Sequence, residues 1–178
     1  MFFPSNSTPL SIAGRGGGEQ NKRDGGPGQA GEDEGLMLGT VGQGGGLICV
    51  EPCVWRELVE GYSGGGFSGD GECFNHSQVI MQCNESATKS FLNGGRGGSQ
   101  DYLGCCDDGV GGSGASSTYV PGGGGGYSGG SVNGGFADIF ISDGGGSFVP
   151  TKTWNAETGA CDKGDGYVTF RFLGNNRP

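Results

Sequence analysis

Glycine occupies 45 of the 178 positions and falls in runs at 16–18, 44–46, 64–66, 122–126 and 144–146. An ordered glycine loses more backbone freedom than any other residue and brings no side chain to bury in return. Five glycines in succession cannot hold an α-helix and make a weak strand. Such a chain either stays unfolded or packs its glycines in a specialised way. The polyproline-II-type helix, with three residues per turn and a rise of ~3.1 Å per residue, accommodates them. A single helix of this type has no internal hydrogen bonds. Several side by side can bond to one another, because no Cβ holds their backbones apart. Collagen is excluded by the lack of a strict Gly-X-Y period.

The segments between the runs argue for folding. Ten Phe, five Tyr and two Trp cluster there, where a core needs them. Leu10 and Ile12 alternate with polar neighbours and read as a strand. Apolar stretches follow at 35–39 and 47–50. Phe136-Ala137-Asp138-Ile139-Phe140-Ile141 reads as an apolar strand, and Ser147-Phe148-Val149 follows a glycine turn. The strongest strand pattern is 166–173, with Val168, Phe170 and Phe172 on one face. One helix is expected, over 52–60, with Pro52 in its first turn and Gly61 as its stop. Residues 19–34 are polar and read as a loop insert; 73–92 read as a cysteine-bearing insert. The expectation is one domain over 1–178, mainly β with few or no α-helices, whose strands frame a bundle of polyglycine helices.

So small a core calls for covalent staples, and the seven cysteines Cys49, Cys53, Cys73, Cys83, Cys105, Cys106 and Cys161 are candidates. Disulfides imply an oxidising compartment. The odd number leaves one thiol free, paired between chains, or without its partner, and the connectivity stays open. Sequons at Asn6, Asn75 and Asn84 agree with an extracellular location, two of them flanking Cys73–Cys83. Zinc fails on spacing: Cys49-x3-Cys53 with Cys105-Cys106 and His76 matches no common finger or ribbon. No stretch is long and apolar enough to span a bilayer. The N-terminus is not a secretory signal, so the chain reads as a fragment of a longer protein.

The net charge of −9 argues against nucleic-acid binding, despite Arg-Gly stretches around Arg15 and Arg96. It points instead to a basic protein partner. No catalytic constellation and no cofactor or metal site emerges. His76 lies within a sequon. Gly65-Gly66-Phe67-Ser68-Gly69-Asp70 and Asp162-Lys163-Gly164-Asp165-Gly166 lack the further ligands a calcium site needs, which leaves their acids as turn residues.

Four stretches carry a family resemblance. They are Thr8-Pro9-Leu10-Ser11-Ile12-Ala13-Gly14-Arg15-Gly16-Gly17-Gly18, Lys89-Ser90-Phe91-Leu92-Asn93-Gly94-Gly95-Arg96-Gly97-Gly98, the run 122–126 with Tyr127-Ser128-Gly129-Gly130, and Gly146-Ser147-Phe148-Val149-Pro150, closed by Gly164-Asp165-Gly166-Tyr167-Val168. In this order the chain resembles the glycine-rich extracellular region of the anaplastic lymphoma kinase / leukocyte tyrosine kinase receptor family, collinearly from about Thr8 to Leu173. The resemblance implies a TNF-like β-sandwich combined with polyglycine-II helices. It implies binding of a secreted polypeptide ligand, receptor homodimerisation on binding, and a location on the extracellular side of the plasma membrane. It also implies that the chain starts inside the family's region. Vertebrate members receive basic ligands on a tyrosine with an acidic cluster. Tyr127 takes that tyrosine's place by motif, Asp143 is a looser match and Asp138 a nearby acid. The bland reading of Tyr127 is a ring packed over glycine backbone. The stretch Cys73–Cys83 and the Cys105-Cys106 pair depart from the family's pattern. The competing class is a secreted structural or ice-binding glycine-rich protein, which would show regular three-residue glycine spacing through most of its length.

Overall fold

The computed structural model describes residues 9, 11–18, 25–29, 41–49, 61–74, 87–98, 112, 114, 120–134 and 140–149. Among them there is no α-helix. Regular structure consists of five short strands and one 3₁₀ turn: β1 (Leu47–Cys49), β2 (Gly61–Tyr62), β3 (Cys73–Phe74), the turn Phe91–Asn93, β4 (Val132–Gly134) and β5 (Phe140–Ser142). The described part is thus mainly β or extended. The expected helix over 52–60 and strand over 166–173 lie outside the described residues.

Two small sheets form. In the first, β4 is central, parallel to β1 and antiparallel to β5, with Val132 level with Leu47 on one side and Ser142 on the other. β5 is the described end of the apolar segment 136–141. Its side chains alternate, Phe140 and Ser142 buried and Ile141 exposed, as a strand's period of two requires. Phe140 packs with Val120 and Val132, both fully buried, and Leu47 leans on the cluster. In the second sheet β2 and β3 are antiparallel, with Tyr62 opposite Cys73, and these two side chains form a separate buried pair. Cys73 is disulfide-bonded. Ile12 and Phe148 make an isolated antiparallel bridge, so the N-terminal apolar alternation is joined to the segment after the last glycine run.

Most of the remaining order is carried by extended glycine segments bonded sideways. The segment 122–127 meets three neighbouring segments in rotation, and Gly114 and Gly130 donate to it besides. Gly122 and Gly125 accept from the N–H groups of Gly18 and Arg15, each at 2.9 Å. Gly123 and Gly126 donate to the carbonyls of Tyr62 and Gly65, at 3.1 and 3.3 Å. Gly124 and Tyr127 donate to those of Asp143 and Gly146, at 2.9 and 2.6 Å. Each neighbour therefore recurs at every third residue, the period of a threefold extended helix. The same spacing joins Gly26 to Ser142 and Gln29 to Gly145, and brings Ile12 and Arg15 against Phe148 and Gly145. Residues 25–29, inside the stretch read as a loop, are thus bonded into this array. Pro27 and its flanking glycines suit an extended conformation as well as a turn.

The array closes so tightly that glycine is required by contact. A Cβ on Gly124 would overlap the carbonyl oxygen of Arg15, one on Gly144 that of Pro27, and one on Gly129 that of Gly64. Serines stand where a small hydroxyl can reach a carbonyl or amide: Ser63, Ser128, Ser131 and Ser142 are fully buried. The Ser142 hydroxyl donates to the Gly18 carbonyl at 2.9 Å, and Ser131 Oγ accepts from the Gly46 N–H at 3.0 Å. Each such bond contributes about 1 kcal/mol and avoids the larger cost of an unmet buried polar group.

Candidate functional site

Two of the glycine segments end alike, as Gly64-Gly65-Gly66-Phe67-Ser68-Gly69 and Gly124-Gly125-Gly126-Tyr127-Ser128-Gly129. Each bends at this end, over 67–69 and 126–128. The lateral bonds hold the two ends side by side, with the Phe67 N–H donating to the Tyr127 carbonyl at 2.7 Å. Their rings therefore stack, with centroids 5.7 Å apart. Phe148 also packs against Tyr127, its centroid 4.7 Å away, and Phe91 stacks on Phe67 at 6.2 Å. The result is a line of four rings, Phe91–Phe67–Tyr127–Phe148, drawn from four distant parts of the chain.

The row is half open to solvent. Phe67, Tyr127 and Phe148 are partly buried, whereas Phe91 is 47% and the adjoining Leu92 51% exposed. Phe91 and Leu92 sit on the 3₁₀ turn. Their N–H groups donate to the Gly66 and Phe67 carbonyls, each at 3.0 Å. Gly94 ends the turn at φ +111°, a conformation that favours glycine, and returns its N–H to the Phe91 carbonyl at 3.2 Å.

Asp70 holds this turn in place. Its carboxylate accepts from the Lys89 ammonium at 3.0 Å, the Ser90 backbone N–H at 2.8 Å and the Asn93 side-chain amide at 2.9 Å. Burial alone raises the pKa of this carboxyl. The bonds to Asn93, Ser90 and Lys89, with the charge of Lys89, outweigh burial and bring it from 3.8 down to about 2. Asp70 is thus an anchor between two segments, bonding residues 19 to 23 positions away. Among the described residues no group of acidic, histidine or cysteine side chains could hold a metal ion.

Of the ligand-binding residues singled out from the sequence, Tyr127 and Asp143 lie among the described residues. Tyr127 lies in the ring row, with its ring also against Gly42: a Cβ there would stand 3.7 Å from Tyr127 Cζ. The bland reading of this side chain, a ring over glycine backbone, describes part of its environment. Asp143 is 5% exposed and sits within the glycine array, its backbone bonded to Ser131 and Gly124. Asp138, Asn6, Asn75, Asn84, Cys53, Cys83, Cys105, Cys106 and Cys161 lie outside the described residues; Cys49 ends β1. Phe67, Phe91, Leu92 and Phe148 were not singled out from the sequence as candidates. The repeated pattern of three glycines, an aromatic, a serine and a glycine is the signal that could have found Phe67 beside Tyr127.

A rigid line of rings flanked by exposed Phe91 and Leu92 is equipped to bury apolar groups of a partner. It offers aromatic anchors at low ordering cost, because backbone bonds and the Asp70 clamp already fix them. Compared with protein-family models, curated proteins and solved structures, the chain matches none.

Proposed function

We propose that this chain is the ligand-binding glycine-rich extracellular region of a receptor tyrosine kinase of the anaplastic lymphoma kinase / leukocyte tyrosine kinase type. In this reading the sideways-bonded segments are polyglycine-II helices, and the short strands belong to a TNF-like β-sandwich completed by other parts of the chain. The observation that carries the reading is the three-residue rotation of hydrogen bonds around 122–127, which distinguishes a packed glycine bundle from a linker. The disulfide at Cys73 supports an extracellular setting.

The ligand in this proposal is a secreted polypeptide. The net charge of −9 favours a basic one and speeds its approach. The ring row takes its apolar side chains, with Tyr127 at the centre and Phe91 and Leu92 as the accessible end. Asp143 contributes by holding the array, since it is buried. Ligand binding then brings two receptors together and activates a kinase elsewhere in the parent protein, with no cofactor in this region.

The test is capture of individual secreted polypeptides by the immobilised folded chain, with light scattering to follow assembly. The expected result is saturable binding of a basic polypeptide, a doubling of receptor mass on its addition, and affinity reduced about tenfold or more by Phe91→Ala, as for an interface anchor. No binding by a folded chain, together with arrest of ice growth, would replace this reading with the ice-binding one.

A further inference from the structure

The sequence holds two Asn-Gly pairs, each followed by a second glycine: Asn93-Gly94-Gly95 and Asn133-Gly134-Gly135. An asparagine is most reactive before glycine, because no Cβ shields the glycine nitrogen from the amide carbon beside it. The local chemistry of the two pairs is the same, so the fold decides between them.

Asn133-Gly134 lies in β4, the central strand, with Gly134 level with Cys49 on one side and Phe140 on the other. Asn93-Gly94 ends the 3₁₀ turn, and residues 91–94 are all exposed. The space around Gly94 is open: a Cβ there would meet nothing within 4 Å. No side chain caps the turn at Ser90. The pair is held by the Gly94 N–H on the Phe91 carbonyl, at 3.2 Å, and by the Asn93 amide on Asp70 Oδ1, at 2.9 Å. We propose that Asn93 is a site of spontaneous deamidation, restrained by Asp70 while the turn is closed, and that its product cannot close the turn again.

The reaction needs only water. When the turn opens, the Gly94 nitrogen gives its proton to water and attacks Asn93 Cγ. The new N–C bond closes a succinimide ring, the Cγ–Nδ2 bond breaks, and the amide nitrogen takes up a proton and leaves as ammonia. Water then adds across one of the two imide C–N bonds. Opening at Cγ gives aspartate. Opening at the backbone carbonyl carbon gives isoaspartate, which adds a methylene to the backbone of the turn. Either product has a carboxylate in place of the amide, beside Asp70, whose Oδ2 is already on Lys89. Two ionised carboxylates repel at such a distance. Asp70 then no longer clamps the turn, and Phe91 and Leu92 lose their fixed place beside Phe67. This ageing switch does not depend on what the ring row binds.

Peptide mapping of the aged chain by mass spectrometry tests the site. In the folded chain Asn93 is expected to deamidate at least about tenfold faster than Asn133, and in denaturant the two are expected to react alike. Asp70→Ala is expected to speed the reaction at Asn93 about fivefold and to leave Asn133 unchanged, which a general loosening of the fold would not do. Asn93→Asp, standing in for the product, is expected to speed hydrogen exchange of the Phe91 and Leu92 amides. It is expected to do so more than Asn93→Ala, which removes the bond without adding the charge. Equal rates at Asn93 and Asn133 in the folded chain would overturn the site. A rate at Asn93 unmoved by Asp70→Ala would overturn the restraint, and exchange in Asn93→Asp that matches the parent would overturn the release of the turn. The first comparison uses the parent chain alone, so it decides even if a variant fails to fold.

Discussion

The segment 122–126 and the turn Phe91–Asn93 lie on neighbouring strips of the same structure and are held by opposite means. The glycine segment is fixed by backbone groups, successive residues bonding different neighbours and every third residue returning to the same one. The turn is fixed largely by one carboxylate that gathers an ammonium, a backbone N–H and an amide. The difference teaches where each is vulnerable. The run cannot admit a Cβ at Gly123, Gly124 or Gly126 and carries no titratable side chain of its own. The turn tolerates side chains, even two large exposed ones, but depends on the charge of Asp70.

Gly124→Ala is the severest challenge to this contrast. The added methyl meets the Arg15 carbonyl, and two segments must part to admit it. The expected loss is at least about 3 kcal/mol, measured by denaturant unfolding. A loss below about 1 kcal/mol would mean that the segments are not in contact as described.

Val132→Ala gauges the small conventional core beside the lattice. Val132 is fully buried against Val120 and Phe140, and its truncation is expected to cost about 2 kcal/mol. An equal or larger loss than that of Gly124→Ala would reverse the ranking of lattice over core.

Asp70→Asn sharpens the other side. The carboxyl titrates at about 2 in the folded chain against 3.8 ordinarily, so its stabilisation is fully present above pH ~4 and disappears as the pH falls towards 2. Because the pair with Lys89 is partly solvated, its size is about 1 kcal/mol after solvent screening. The parent is expected to lose that increment between pH 4 and 2, and Asp70→Asn to lack it throughout. Parallel pH profiles for the two proteins would deny Asp70 the role of anchor. Phe91→Ala is expected to have the smallest effect on stability, below about 1 kcal/mol, because half of the ring is already in water. Thermal unfolding checks it, and a larger loss would make the row a structural cap rather than an open surface.

Parts of this arrangement could be read before any coordinates. The apolar segment 136–141 announced a strand, of which β5 is the described part, and the glycine runs, having no Cβ to hold them apart, announced lateral packing of extended backbone. Residues 25–29 were harder, because Lys22, Arg23 and Asp24 give their surroundings the character of a loop, while the bonds that order them come from Ser142 and Gly145. The ring row was harder still. Phe91 and Phe148 belong to different local patterns, and nothing in either indicates the other. Asp143 could be noticed as an acid near a glycine run, but nothing in its own segment indicates that Gly26 packs against it.

By itself the sequence determined that these glycines need neighbours: residues without side chains gain stability only from bonds between backbones, and the serines and aromatics at the ends of the runs limit where such a bundle can stop. Which segments become neighbours was decided by the tertiary structure alone. A glycine run carries no apolar face and no charge pattern to select a partner. The pairings of 122–127 with 15–18, 62–65 and 143–146 follow instead from where β1, β4 and β5, the Ile12–Phe148 bridge and the serine contacts bring the backbone.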